Sequence, residues 1–112
     1  MHIGLIGGIG LGATEFYYRR VVAGCAARKA PLHLTIAHAD VEVETANLLA
    51  DNRSAQAEIF AAHARQLAGA GAKCVVIPSV AGHFCIKEFE AVSPLPPVNI
   101  LDAVADHVTG RG

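Results

Sequence analysis

A short segment near the middle of the chain combines a hydroxyl, several small residues and a histidine. Residues 78–83 read Pro-Ser-Val-Ala-Gly-His and follow an apolar run. Ser79 offers a hydroxyl where that run ends, and the amide groups of Val80 and Ala81 would point toward a ligand bound there. His83 can orient a loop or carry a proton. An ordinary loop in which Ser79 caps the next helix fits the same spacing, and the Gly-x-Ser-x-Gly elbow of serine hydrolases does not match it.

A second candidate segment is rich in glycine. Residues 8–13 follow the pattern Gly-x-Gly-x-x-Ala, a loose form of the dinucleotide-binding fingerprint. The backbone of Gly8, Ile9 and Gly10 can approach an anion at the start of a helix, although glycines also make tight turns that bind nothing. Asp40 could serve as the ribose-binding acid of an NAD site, but two further carboxylates follow closely and would repel phosphates. Nucleotide binding is therefore disfavoured.

Cysteines and the other histidines suggest no metal site. Cys25, Cys74 and Cys85 are an odd number without CxxC spacing, which argues against a disulfide framework or a zinc site and fits a reducing cytosol. Cys85 follows His83 closely enough to lie near the candidate loop, but a buried helix cysteine is the favoured interpretation. Five further histidines show no metal-ligand spacing and are interpreted as surface or hydrogen-bonded groups: His2, His33, His38, His63 and His107.

Composition indicates one small folded domain. The chain has 112 residues, 53% of them hydrophobic and 17% charged, which suffices for one core and not for two. A net charge of −1 gives no basis for binding nucleic acid or an anionic membrane surface. No apolar run approaches the ~20 residues that span a bilayer, and the N-terminus has no signal-peptide pattern. We therefore expect a cytoplasmic protein.

Apolar runs alternate with helical patterns. Four runs predict strands buried on both faces, as in a parallel sheet covered by helices: residues 3–6, 32–37, 74–77 and 98–101. Four helices are expected as well: from Thr14 to about Arg28, from Ser54 to Gly69, a shorter one after His83, and one over residues 101–108. Thr14 and Ser54 are the expected N-caps. Residues 41–51 fit either a loop with one helical turn or an early start of the second helix.

This alternation predicts an α/β fold. We expect a doubly wound three-layer sandwich around a four-stranded parallel sheet, formed by a single domain over residues 1–112. Ligands of such sheets bind beyond the carboxyl ends of the strands. The unusual residues of this chain follow those ends: residues 7–12, residues 38–40, residues 79–83 and Asp102. We therefore expect these segments to form one site.

Taken together, the segments resemble the aspartate/glutamate racemase family. Residues 3–18 are similar to the family's first strand, glycine loop and first helix. Residues 67–78 are similar to the helix end and the strand before its catalytic residue, and residues 97–102 to its next strand. Where the family has Cys-Asn-Thr-x-His, residues 79–83 of this chain read Ser-Val-Ala-Gly-His. The resemblance covers the whole chain.

The resemblance implies the N-terminal half of a cofactor-independent amino-acid racemase. In that family two facing α/β domains each supply a thiol at a strand end, without metal or pyridoxal phosphate. One thiol removes the α-proton of a free amino acid and the other returns a proton to the opposite face. Amide donors can lower the thiol pKa from ~8.5, which gives a base near neutral pH. The expected partners are a small amino acid or related carboxylate and a C-terminal domain that this chain lacks.

The sequence departs from the family pattern at its central motif. Ser79 stands at the position of the first cysteine, and Val80 and Ala81 replace the Asn-Thr pair. The resemblance makes Ser79 the catalytic candidate, with His83 as a second. The amides of residues 8–10, Val80 and Ala81 are then expected to surround the substrate carboxylate.

Other functions remain open at this point. Some members place an arginine for a distal carboxylate in the segment where this chain has Asp40, Glu42 and Glu44, and Arg53 is the nearest arginine here. The alternatives are a carboxylate-binding module that has lost catalysis, and an isomerase or decarboxylase that acts on another carboxylic acid. We expect the chain alone to be inactive, because the family's site lies between two domains. An uncovered apolar face would allow it to form a homodimer.

Overall fold

A four-stranded parallel sheet forms the centre of the molecule. The computed structural model describes residues 2–98. The strands are β1 (His2–Gly7), β2 (His33–His38), β3 (Cys74–Val76) and β4 (Pro97–Val98), in the sheet order β2-β1-β3-β4. β1 pairs in parallel with β2 and β3, and β3 pairs in parallel with β4. The predicted sheet is therefore confirmed, although most of the run at 98–101 lies outside the described residues.

The helices differ in their starting points from those predicted. They are α1 (Leu11–Ala27), α2 (Val41–Leu49), α3 (Arg53–Gly69), a 3₁₀ helix (Ala81–Cys85) and α4 (Ile86–Val92). The prediction of Thr14 as an N-cap is wrong, because α1 already begins at Leu11 after Gly10 in a left-handed conformation. Ser54 is likewise inside its helix, and Asn52 is the residue at the cap position.

The segment between β2 and α3 forms a helix of its own. α2 has nine residues, so it is neither a loop with one turn nor an early part of α3. The carboxylate of Asp40 starts it by accepting a hydrogen bond of 2.8 Å from the amide of Glu42, which satisfies one of the free donors of a helix N-terminus. The predicted helix at 101–108 and the candidate Asp102 lie outside the described residues.

Helices cover both faces of the sheet. α3 packs on β1 and β2 and also against α4, and Gly4 makes room for it, since a Cβ there would lie 2.9 Å from Cδ1 of Leu67. α1 lies on the other face, where a Cβ at Gly7 would be 2.8 Å from Cγ2 of Thr14. Side chains alternate between the faces of a strand, which places these two glycines on opposite sides. The result is the predicted three-layer α/β arrangement.

The α3 side holds most of the core. Its buried cluster includes Ile6, Phe60, Leu67, Val75 and Phe89, and the rings of Phe60 and Phe89 meet edge to face with centroids 6.0 Å apart. On the α1 side, by contrast, large apolar side chains remain exposed: Leu11, Phe16, Tyr18, Val22 and Ile36. Within the described part of the chain, no helix is long and apolar enough to cross a membrane.

Candidate functional site

The loops after β1, β2 and β3 meet at the carboxyl edge of the sheet. A Cβ placed at Gly8 would lie 2.5 Å from the carbonyl oxygen of Ala39, so the loops after β1 and β2 touch there. A Cβ placed at Gly10 would lie 3.8 Å from Oγ of Ser79, so the loops after β1 and β3 are also neighbours. The structure thus brings the glycine loop and the candidate serine together, as the parallel topology predicts.

Thr14 holds the glycine loop in shape. Its Oγ1 accepts a hydrogen bond of 3.2 Å from the amide of Gly8 and donates one of 3.3 Å to the carbonyl of Gly10. The amide of Gly8 is therefore occupied, and the side chain of Ile9 is buried. Gly10 is exposed and gives α1 no side-chain cap. The donors that face a ligand at this loop accordingly come from Gly10 and the first turn of α1.

Ser79 is a half-buried residue that shapes the turn after β3. Its Oγ accepts a hydrogen bond of 3.4 Å from the amide of Gly82, but Val80 is the residue at the cap position of the 3₁₀ helix, so the interpretation of Ser79 as the N-cap is wrong. Its own amide donates to the carbonyl of Ile77 over 2.8 Å. A hydroxyl can accept and donate at once, so the hydrogen of Ser79 is available to a second partner. Serine without an adjacent base, however, is a weak acid–base group.

Val80 and Ala81 form the rim beside this serine. Val80 is 67% exposed and Ala81 is also exposed, at the start of the 3₁₀ helix. The carbonyl of Val80 is used inside the turn, where it accepts a hydrogen bond of 3.0 Å from the amide of His83. The side chains at these two positions add no polar group, so any hydrogen bonds to a ligand must come from their backbone amides.

His83 is a buried residue behind the loop. Only 4% of it is exposed, and its Nε2 lies 2.9 Å from the carbonyl oxygen of Ile77. A carbonyl can only accept, so Nε2 carries the hydrogen and donates it. Nδ1 is buried and, among the described residues, has no partner. The ring therefore ties the 3₁₀ helix to the end of β3, two residues before Ser79, and its catalytic role stays a prediction.

The carboxylates after β2 have separate structural positions. Asp40 caps α2, and its neighbour Glu42 is exposed. Glu44 is only 1% exposed and its Oε1 has no partner among the described residues, and burial raises the pKa of this carboxyl group. Arg53 is exposed and bonds Asp51 through its Nε at 2.9 Å. Asp40 therefore has a structural role as the N-cap of α2, which accounts for this residue without a nucleotide ribose.

The cysteines offer no replacement base. Cys85 is buried, and burial together with the nearby carboxylates of Glu88 and Glu44 raises its pKa to about 11. Cys74 lies within β3, where burial also raises its thiol pKa, and Cys25 lies on α1. No group of three or more His, Cys, Asp or Glu in the described range could hold a metal ion.

A cavity of about 440 Å³ lies away from this edge, between α1 and β2. Its lining is mostly apolar: Tyr18, Val22, Cys25, Ala26, Ala30, Leu32 and Leu34. These residues lie on α1, on β2 and in the connection between them, and not at the carboxyl ends of the strands. The cavity therefore reflects the thin covering of this face of the sheet and not the candidate site.

The sequence placed His38 at the carboxyl edge but interpreted it only as a surface or hydrogen-bonded group. His38 ends β2 and is exposed, and its ring lies so close to Gly8 that a Cβ there would be 2.6 Å from Nδ1. Its place directly after an apolar run was the available signal. The carboxyl ends of the strands in this α/β domain thus carry small residues, backbone donors, a hydroxyl and an imidazole. Groups of these kinds suit a small carboxylate ligand.

Comparisons with known proteins agree with an α/β domain of this kind. The sequence model of Asp/Glu/Hydantoin racemase matches residues 6–112, and the chain belongs to that family. Among solved structures, a proposed Asp/Glu racemase from Yersinia pestis is 26% identical with a TM-score of 0.83, over 97% of this chain and 50% of that one. An aspartate racemase homologue from Pyrococcus horikoshii, 24% identical with a TM-score of 0.83, shares the fold over 99% of this chain and 50% of that one.

The chain spans about half the length of both structures. No curated protein sequence matches it. The family resemblance predicted from residues 3–18, 67–78 and 97–102 is confirmed, and so is the fold class.

Proposed function

We propose that this domain supplies one side of the active site of a cofactor-independent amino-acid racemase of the aspartate/glutamate type. The observation that carries the proposal is the meeting of Gly10 and Ser79 at the carboxyl edge, in a chain of this family. An isomerase activity would belong to a longer form that includes the other side of the site. The proposed partners are thus a small acidic amino acid and a second domain.

The backbone suits the substrate's α-carboxylate. The first turn of α1 begins at Gly10 without a side-chain cap, and the N-terminus of a helix attracts negative charge. The exposed turn at Val80 and Ala81 adds amide donors from the β3 side. A carboxylate held between them would bring the α-carbon beside Ser79. Developing charge on the carboxylate during removal of the α-proton would then meet donors that are already oriented.

A carboxylate-binding module is the second candidate, and the contact of Ser79 favours it. The hydroxyl accepts a hydrogen bond from Gly82 and, within residues 2–98, does not pair with a titratable side chain. A serine in this state binds a ligand by hydrogen bonding more readily than it removes a proton from carbon. In such a module the amides would hold the carboxylate and no chemistry would follow.

Replacement of Ser79 by cysteine separates the two candidates. The longest natural form of the protein would be incubated with aspartate or glutamate in D₂O, and loss of the α-proton signal would be followed by proton NMR. A racemase site predicts faster exchange in Ser79→Cys, with a rate that rises as the thiol ionises near pH ~8.5. Ser54→Cys is the matched control, because Ser54 is exposed at the start of α3.

The outcomes differ for each candidate. A binding module predicts no exchange in the native protein or in either variant, together with calorimetric binding of the same carboxylates. Equal exchange in Ser79→Cys and Ser54→Cys would contradict a catalytic position for Ser79. If the protein neither exchanges the α-proton nor binds any carboxylate, both proposed functions are contradicted.

A further inference from the structure

An exposed histidine stands at the carboxyl edge on the side of β1 away from Ser79. His38 is the last residue of β2 and pairs with Gly7 of β1. Its ring lies against Gly8, where an added Cβ would be 2.6 Å from both Nδ1 and Cε1. A side chain at position 8 would therefore occupy the space that the imidazole uses. The glycine at that position leaves the ring beside the loop that is proposed to hold the substrate.

The two sides of the glycine loop carry different groups. β1 lies between β2 and β3 in the sheet, and neighbouring strands are about 4.8 Å apart. β2, which ends at His38, and β3, which precedes Ser79, therefore lie roughly 10 Å apart with the loop after β1 between them. A substrate bound at the glycine loop would thus have His38 on one side and Ser79 on the other.

Among the described residues, three other titratable groups near this edge are engaged or buried, while Glu42 at the start of α2 is exposed. His83 donates through Nε2 to the carbonyl of Ile77 and is 4% exposed. The carboxylate of Asp40 accepts from the amide that it caps. Cys85 is fully buried with a pKa of about 11, so it remains a thiol at neutral pH. His38 is exposed, and its side chain has no hydrogen bond with another described residue. Histidine is also the side chain whose charge ordinarily changes between about pH 5 and 8.

We infer that His38 is the acid–base residue of this side of the site and exchanges a proton with the α-carbon of the substrate. This inference rests on the proposed function. The neutral imidazole takes the α-proton: the Cα–H bond breaks, an N–H bond forms, and the electron pair stays on the substrate as an enediolate. In D₂O the imidazolium exchanges its proton for a deuteron of the solvent. Return of that deuteron to Cα restores the neutral imidazole and leaves a deuterated amino acid.

Ser79 has a supporting part in this arrangement. Its hydroxyl keeps a hydrogen that it can donate while Oγ accepts from Gly82. Donation to the substrate carboxylate would stabilise the charge that builds up there as the α-proton leaves. The substitution of cysteine by serine would then be compatible with chemistry at this site, because proton transfer uses the imidazole.

Replacement of His38 tests the inference. Aspartate and glutamate would be incubated in D₂O with the longest natural form of the protein, and α-proton exchange would be measured by NMR against pD. His38→Gln should slow exchange at least ~100-fold, the smaller of the effects typical of a general base. His33→Gln is the matched control, since His33 is exposed on the same strand at its other end, and it should stay within about twofold of the native rate.

The pD profile distinguishes a base from a structural residue. The native rate should depend on pD, and His38→Gln should abolish that dependence while His33→Gln keeps it. In the double variant His38→Gln with Ser79→Cys, exchange should return with a rate that rises near pH ~8.5, as for a thiol. A structural role for His38 predicts no such return.

Each outcome is decisive. Exchange that persists in His38→Gln overturns the role of His38 and leaves the proposed function standing. A native protein that exchanges neither amino acid overturns both. If His38→Gln does not fold, the native protein still gives an answer, because addition of aspartate should shift the NMR signal of the His38 Cε1 proton and leave that of His33 unchanged. An unchanged His38 signal overturns the inference.

Discussion

Replacement of Gly8 by alanine is expected to destabilise the fold by about 2–5 kcal/mol. Gly8 has φ of 98°, in the left-handed region, where a residue with a Cβ costs roughly 1–2 kcal/mol. The new Cβ would also lie 2.5 Å from the carbonyl oxygen of Ala39. That oxygen belongs to the backbone, so the β2–α2 connection must shift as a unit. Overpacking of this kind adds roughly 1–3 kcal/mol.

Urea unfolding followed by circular dichroism measures this loss of stability. Gly12→Ala is the matched control, because Gly12 lies in the first turn of α1 and a Cβ there meets nothing within 4 Å. Alanine is the better helix former by up to about 1 kcal/mol, so this variant should be as stable as the native chain or more stable. A loss of less than about 1 kcal/mol in the free energy of unfolding of Gly8→Ala would contradict this prediction. An equal loss in Gly8→Ala and Gly12→Ala would contradict it as well.

Two further predictions concern buried groups. Burial raises the pKa of Glu44 above its ordinary 4.5, so the folded state holds that proton more tightly and stability falls as pH rises from 4.5 through the folded pKa. Urea unfolding at several pH values should therefore show the stability of Glu44→Gln increasing relative to the native chain over that window. The exposed Glu58→Gln is the control and should show no such change. A pH-independent difference for Glu44→Gln would contradict this prediction. Cys85, with a pKa of about 11, should resist iodoacetamide at pH 8 while half-buried Cys25 reacts. Equal labelling by mass spectrometry would oppose that prediction.

The sheet and the candidate site at its carboxyl edge could be predicted from the sequence. The runs at 3–6 and 74–77 are apolar without alternation, which is what burial on both faces of a parallel sheet requires. The expectation of burial on both faces is wrong for β2, because this strand lies at the sheet edge and its run alternates with His33 and Thr35. Parallel strands place all their carboxyl ends at one edge. That single topological fact predicts that the glycine loop and Ser79 lie close together.

Helix starts could not be predicted in the same way. Thr14 carries the hydroxyl expected of an N-cap, but it bonds to Gly8 and Gly10 from inside α1. The true start depends on the left-handed conformation of Gly10, which glycine permits and no side-chain pattern reveals. α2 was ambiguous because its residues 41–49 mix apolar and acidic side chains without a clear helical period. The burial of Glu44 depends on packing contacts that the sequence does not specify.

The position of His38 relative to the loop also required the structure. The sequence placed this residue at a strand end, but its contact with Gly8 depends on the β1–β2 register and on the backbone conformation of the loop. A surface histidine and a site histidine have the same local sequence. Only the geometry of Gly8 and its two neighbouring loops distinguishes them.

We propose that this edge of the sheet contributes to racemisation at the α-carbon of an acidic amino acid. Chiral chromatography with mass spectrometry tests it most directly, on L-aspartate and L-glutamate incubated in D₂O with the longest natural form of the protein and with the 112-residue chain. We expect the longest form to produce the D-enantiomer of the amino acid with one deuterium at Cα. We expect no racemisation by the 112-residue chain alone. L-amino acid recovered without deuterium from the longest form would contradict it, and racemisation by the chain alone would contradict a site shared between two domains.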